Sequence, residues 1–157
     1  MEARKTSAWS SNYVVTDRGR EITTWDKSTW KSGGEFTLEG RRFRVRSKIW
    51  GSKYTMVDDS DTVVASAERV GRKHWTVSAG GQTYNFRRKS FWSSEEEFVL
   101  GDTRVGSIRK TSFWGGTVEV ELPGLTPQLQ LFVLAVVLSK WDAEAAAAAA
   151  SSSGGGG

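Results

Sequence analysis

The residues with the clearest capacity for chemistry are four cations on one short stretch. Arg42, Arg44, Arg46 and Lys48 recur at every second position, with Phe43, Val45 and Ile49 at the alternate ones. In a β-strand that period sends the cations to one face and the apolar side chains to the other. Two residues advance about 6.6 Å along a strand, so four such charges span roughly 20 Å. That is a surface able to meet several phosphates at once. Arg87, Arg88 and Lys89 form a second cluster. The competing reading is a solvated outer face, the usual fate of a charge run.

Other chemistry is poorly supported. His74 is the single histidine and sits among Arg72, Lys73 and Trp75; a structural or solvated role is expected. Cysteine is absent, which removes disulfides, thiolate metal sites and a cysteine nucleophile. A zinc site would then need mostly carboxylates, which zinc rarely uses alone. Asp58, Asp59 and Asp61 could hold a hard cation, but they lack the spacing and terminal glutamate of an EF-hand loop. An Asp-rich turn is the better reading. Glu95-Glu96-Glu97 suggests paired carboxylates, yet neighbours on a strand face opposite ways, so a solvated turn or strand start is expected. The glycine pairs are not followed by Gly-Lys-Ser/Thr, and no G-x-S-x-G elbow occurs. The chain reads as a non-enzyme with no catalytic, metal-binding or cofactor residues, and with Arg42, Arg44, Arg46 and Lys48 as the candidate anionic-ligand face.

The elements that must position these residues are mostly strands. Tyr13 to Thr16, Glu21 to Trp25, Glu35 to Glu39, Arg42 to Trp50, Lys53 to Val57 and Thr62 to Val70 each read as one, as do His74 to Ser78, Gln82 to Phe91, Glu96 to Leu100, Thr103 to Thr111 and Thr117 to Leu122. Turns of Asp, Gly and Ser separate them. Strands this short at this spacing indicate an all-β sandwich or barrel. The chain also repeats. VDDSDTVVASAERVGRKHW (57–75) is echoed by VLGDTRVGSIRKTSFW (99–114), and a weaker copy starts at Val15. An aromatic anchor precedes each full unit, Ile49-Trp50 or Phe91-Trp92. A repeated hairpin unit suits a closed barrel, which also removes aggregation-prone edges. Ala65 and Gly106 hold matching positions; two readings stand level, close approach of a central helix and ordinary strand positions.

That helix is the other organising element. Leu131 to Leu138 is apolar at every position, which marks a helix buried on all sides. Thr126 suits an N-cap and Pro127 the first turn. A membrane span needs roughly 20 apolar residues, and Gln128, Gln130, Lys140 and Asp142 interrupt this one, so a core helix over 126–142 is expected. Residues 1–11 are polar and read as a flexible N-terminus without the apolar run of a signal peptide. Residues 12–142 form the one domain that 157 residues lead one to expect. Residues 143–157 read as an alanine-rich helical extension and a disordered Ser/Gly tail. The net charge of +4 favours anionic partners.

A run of β-hairpins ending in Pro123-Gly124 and followed at once by an apolar helix resembles the tubby C-terminal-like superfamily, which includes the LURP-one-related proteins and the phospholipid scramblases. The residues that carry the likeness are FRVRSKIW (43–50), AERVGRKHW (67–75), SIRKTSFW (107–114) and LPGL with LFVLAVVLSKWD (122–142). The nearest likeness is to small bacterial proteins of the LURP-one-related kind. The resemblance implies a closed antiparallel barrel of about 11–12 strands wrapped around a central hydrophobic helix. It implies no catalytic residues. No acidic calcium loop of scramblase type can be matched, so scrambling is not carried over. The resulting expectation is a cytoplasmic, unsecreted monomer that docks peripherally on anionic phospholipid. The alternative is a protein–protein scaffold with no lipid role. No recognised nucleic-acid module is present, and no cofactor is expected.

Overall fold

The computed structural model describes residues 1–7, 12–27, 33–48, 51–111 and 116–154. The chain runs through β1 (Glu2–Lys5), β2 (Tyr13–Asp17), β3 (Arg20–Lys27), β4 (Gly33–Leu38), β5 (Arg41–Lys48) and β6 (Lys53–Val57). It continues through β7 (Val63–Glu68), β8 (His74–Ala79), β9 (Gln82–Arg88), β10 (Glu96–Leu100), β11 (Thr103–Lys110) and β12 (Thr117–Glu121), and ends in α1 (Pro127–Gly154). Each strand pairs antiparallel with the next, and β1 pairs with β12 to close a twelve-stranded barrel. Short turns between neighbours make this the simplest order for a meander.

Alternation decides what each strand buries. Phe43 and Val45 on β5, Trp75 and Val77 on β8, and Val118 and Val120 on β12 are all buried. Trp75 stacks on Phe86 at 4.6 Å, and Phe86 on Phe98 at 5.2 Å, so three adjacent strands share one aromatic column. The interior is filled by α1. Residues 131–141 are buried without interruption, which is why this segment is apolar all round rather than on a stripe. The Thr126 hydroxyl accepts a hydrogen bond from the Leu129 amide at 3.3 Å. That caps the helix and lets Pro127 occupy a position whose N–H would have had no partner.

The repeat has a structural counterpart. Hairpins β2–β3, β6–β7 and β10–β11 each shift register once, at Val15/Thr16, Met56/Val57 and Phe98/Val99. These three hairpins start the three copies, so a bulge recurs at every fourth strand, where its added twist helps the sheet curl shut.

Two expectations need correction, and one open pair of readings is decided. The N-terminus is not loose over its first residues: β1 pairs with β2 and β12, and Ala3 is fully buried. A polar four-residue strand escapes sequence reading because its stability comes from two neighbours that lie far along the chain. The Ser/Gly tail does not begin at residue 151, since α1 continues to Gly154; helix propagation adds one hydrogen bond per residue and tolerates weak formers at an end. Gly106 is not shaped by the helix. A Cβ there would lie 2.2 Å from the Glu121 carbonyl oxygen and 3.1 Å from Pro123 Cδ, so β12 is the close neighbour. Ala65 is buried on β7, against which α1 packs. Ile49 and Trp50 lie outside the described residues.

Candidate functional site

The alternation of β5 divides the cationic stripe from the core. Phe43 and Val45 are buried while Arg42, Arg46 and Lys48 are exposed and Arg44 is half-buried. The stripe is not uniformly available, however. Arg42 is paired with Glu35 on β4, and Arg44 with Asp61 in the β6–β7 turn. Arg41 stands 3.8 Å from Asp58. Glu35 also raises the Arg42 pKa, first by its hydrogen bond and then by its charge. Arg46 and Lys48 have no carboxylate partner among the described residues. The stripe is therefore neutralised toward one end of the barrel and open toward the other.

The aspartates that accept these arginines are a turn, as expected. The Asp58 carboxylate accepts the amides of Ser60 at 2.9 Å and Thr62 at 3.1 Å, while Asp61 adopts a φ of 57°. Asp and Asn favour such turns because their side chains bond the backbone two residues on.

The Glu95–Glu97 run differs from expectation. All three glutamates are buried, and Glu96 is fully so. The strand period does split them. Glu96 turns inward, where its carboxylate accepts from Lys140 of α1 at 2.5 Å and from the Trp75 indole N–H at 3.1 Å. Glu95 and Glu97 turn outward beneath cations: Lys89 lies 2.8 Å from Glu95, Arg87 3.0 Å from Glu97, and Arg104 3.5 Å from both. Burial here reflects coverage by long side chains across the sheet, which no one-dimensional pattern contains. Every carboxylate of the run is matched to a cation, so the run is a structural clamp between β9, β10, β11 and α1.

The two rims of the barrel differ in charge. The helix emerges at the rim where Lys27 pairs with Asp142 at 3.0 Å and Lys110 sits over the Trp141 ring at 4.6 Å. Lys5, Lys48, Lys53, Arg88 and Lys110 end or begin strands at this exit rim. Arg69, Arg72 and Lys73 lie in the β7–β8 connection, are exposed, and lack carboxylate partners among the described residues. The opposite rim carries the turns with Asp17, Glu39, Asp58, Asp59, Asp61 and Asp102, in which the acidic residues outnumber the cations Arg18, Arg20 and Arg41.

Among the described residues, the exit rim also holds the largest apolar exposure. Phe91 and Trp92, read from the sequence as an anchor, are 79% and 92% exposed. They follow the end of β9 at Arg88, beyond the last paired residues, so no wall shields them. The Arg87–Lys89 cluster divides likewise: Arg87 and Lys89 serve Glu97 and Glu95, and Arg88 donates to the Gly71 carbonyl at 3.1 Å. His74 is exposed at the start of β8.

Among the described residues no helix is long and apolar enough to cross a membrane, and no group of histidines and carboxylates is placed to hold a metal ion. Compared with known families, with curated proteins and with solved structures, the chain shows no match.

Proposed function

We propose that this protein is a non-enzymatic binding module that docks peripherally on anionic phospholipid through its cationic exit rim, working in the cytoplasm as a monomer. The observation that carries the reading is the distribution of uncompensated charge. Arg42 and Arg44 are spent on Glu35 and Asp61. Arg46, Lys48, Arg69, Arg72 and Lys73, which have no such partner among the described residues, gather at or beside the rim where α1 emerges, whereas the opposite rim sets the similarly unpartnered Arg18 and Arg20 among acidic turns. Basic residues close to an anionic membrane contribute about 1 kcal/mol each. A handful is enough for weak, reversible attachment without an inserted helix. Membership of the tubby C-terminal-like superfamily, on the LURP-one-related side, is part of the same proposal, supported by a barrel closed around an apolar helix.

Co-sedimentation with vesicles tests the reading. Binding should require anionic headgroups and weaken as salt rises, because screening shortens the reach of exposed charge. Arg46→Glu with Lys48→Glu should weaken it strongly. Arg42→Glu with Arg44→Glu should weaken it less, since those guanidinia are already engaged. If wild-type protein ignores anionic vesicles at low salt, lipid docking is wrong and a protein–protein scaffold becomes the better account.

A further inference from the structure

We infer that the β9–β10 connection is a wedge that enters the interfacial layer of an anionic bilayer, with Phe91 and Trp92 as its apolar tip and neighbouring cations on the lipid phosphates. This rests on the lipid-docking reading and names how the rim engages. The two rings meet edge to face at 5.1 Å and project together as one unit. Large aromatic side chains left this exposed mark an interaction surface. The other large exposed apolar residues among those described, Val63 and Leu100, lie toward the opposite rim and carry no aromatic ring.

What surrounds the tip identifies the partner. Lys73, Arg88, Lys89 and Ser90 line a notch against Phe91. The notch is held in shape from the β7–β8 side: the Arg88 amide donates to the Lys73 carbonyl at 2.9 Å, and its guanidinium to the Gly71 carbonyl at 3.1 Å. Arg72 and Lys73 have no carboxylate to satisfy among the described residues. A convex aromatic tip beside unpaired cations is complementary to a surface that is anionic outside and apolar just beneath. Tryptophan prefers that boundary, with its ring among the headgroups and its N–H solvated. Because α1 continues beyond this rim, the barrel meets the bilayer tilted, on its β7–β10 side.

The test uses the full chain, with vesicles of phosphatidylcholine alone or mixed with phosphatidylglycerol, at low and high salt. Charge docking alone disappears at high salt, whereas an inserted tip leaves a salt-resistant remainder. Phe91→Ser with Trp92→Ser should bind the anionic vesicles about tenfold more weakly or worse and lose that remainder, since tenfold corresponds to only about 1.4 kcal/mol. Both residues are exposed, so the melting temperature should stay at the wild-type value. Quenching by brominated lipid, read as the difference between wild-type and Trp92→Phe, should place the Trp92 ring in the bilayer. Wild-type binding with an equally tight serine variant and no Trp92 quenching overturns the wedge and leaves charge docking standing. No wild-type binding at low salt overturns both. Sedimentation of wild-type protein without lipid, abolished in the serine variant, would assign the tip to head-to-tail contact with a second copy and overturn the wedge.

Discussion

Lys140 of the helix and Glu96 of β10 meet inside the barrel at 2.5 Å, and they are 4% and 0% exposed. The pair tethers α1 to the wall at the rim where it leaves. The Trp75 indole satisfies the second glutamate oxygen, and Glu144 lies 3.1 Å from the ammonium. A buried ion pair adds little net stability over apolar packing, but removing one member strands the other charge.

Lys140→Met should therefore destabilise the protein by about 3–5 kcal/mol in urea unfolding. Lys140→Met combined with Glu96→Gln should recover most of that loss, because glutamine is uncharged and can still accept from Trp75. A single variant within about 1 kcal/mol of wild type would mean that the pair is hydrated and not a tether.

The closing strand makes a second test. Deleting residues 1–5 removes the partner shared by β2 and β12 and leaves two open edges, which invite association. The deletion should lower the melting temperature by more than about 10 °C, as expected for a loss of several kcal/mol in a chain of this size, and should reduce the soluble fraction. A deletion variant that melts like wild type would show that β1 does not hold the barrel shut.

Alkaline pH should weaken the fold through Tyr13. Burial, and then the nearby Asp142 carboxylate, push its pKa from 10.0 to about 12. Between those values the unfolded chain binds fewer protons than the folded one, so stability falls as pH rises. The contribution is intact below pH 10 and is lost as pH climbs through about 12. The stability difference between wild type and Tyr13→Phe should be flat below pH 10 and then shrink across that window. A difference that stays constant to pH 12 would contradict the assignment.

Much of the architecture was present in local pattern. The period of two on β5 placed Phe43 and Val45 inside, and unbroken apolarity at 131–138 marked a helix enclosed on every side. The Thr126 cap and the Asp58 turn were legible because each uses contacts within a few residues. These features depend on backbone geometry and nearest neighbours, which the order of residues contains.

What the sequence could not determine depends on partners brought together by closure. Glu2–Lys5 is a strand only because β12 lies beside it. Gly106 is small because the Glu121 carbonyl crosses it. Arg42 and Arg44 are equivalent to Arg46 in the strand pattern, but acidic residues on β4 and the β6–β7 turn neutralise the first two and leave the third open. Glu95 to Glu97 resemble a solvated acidic run until Lys89, Arg87, Arg104 and Lys140 cover them from three separate segments. Phe91 and Trp92 resemble core residues by type, and only the position of the rim decides that they face outward. The physical reason is common to all of these. Periodicity settles which face of an element a side chain takes, whereas its burial and charge state are set by atoms far along the chain, whose positions are decided only when β1 meets β12 and the barrel closes on the helix.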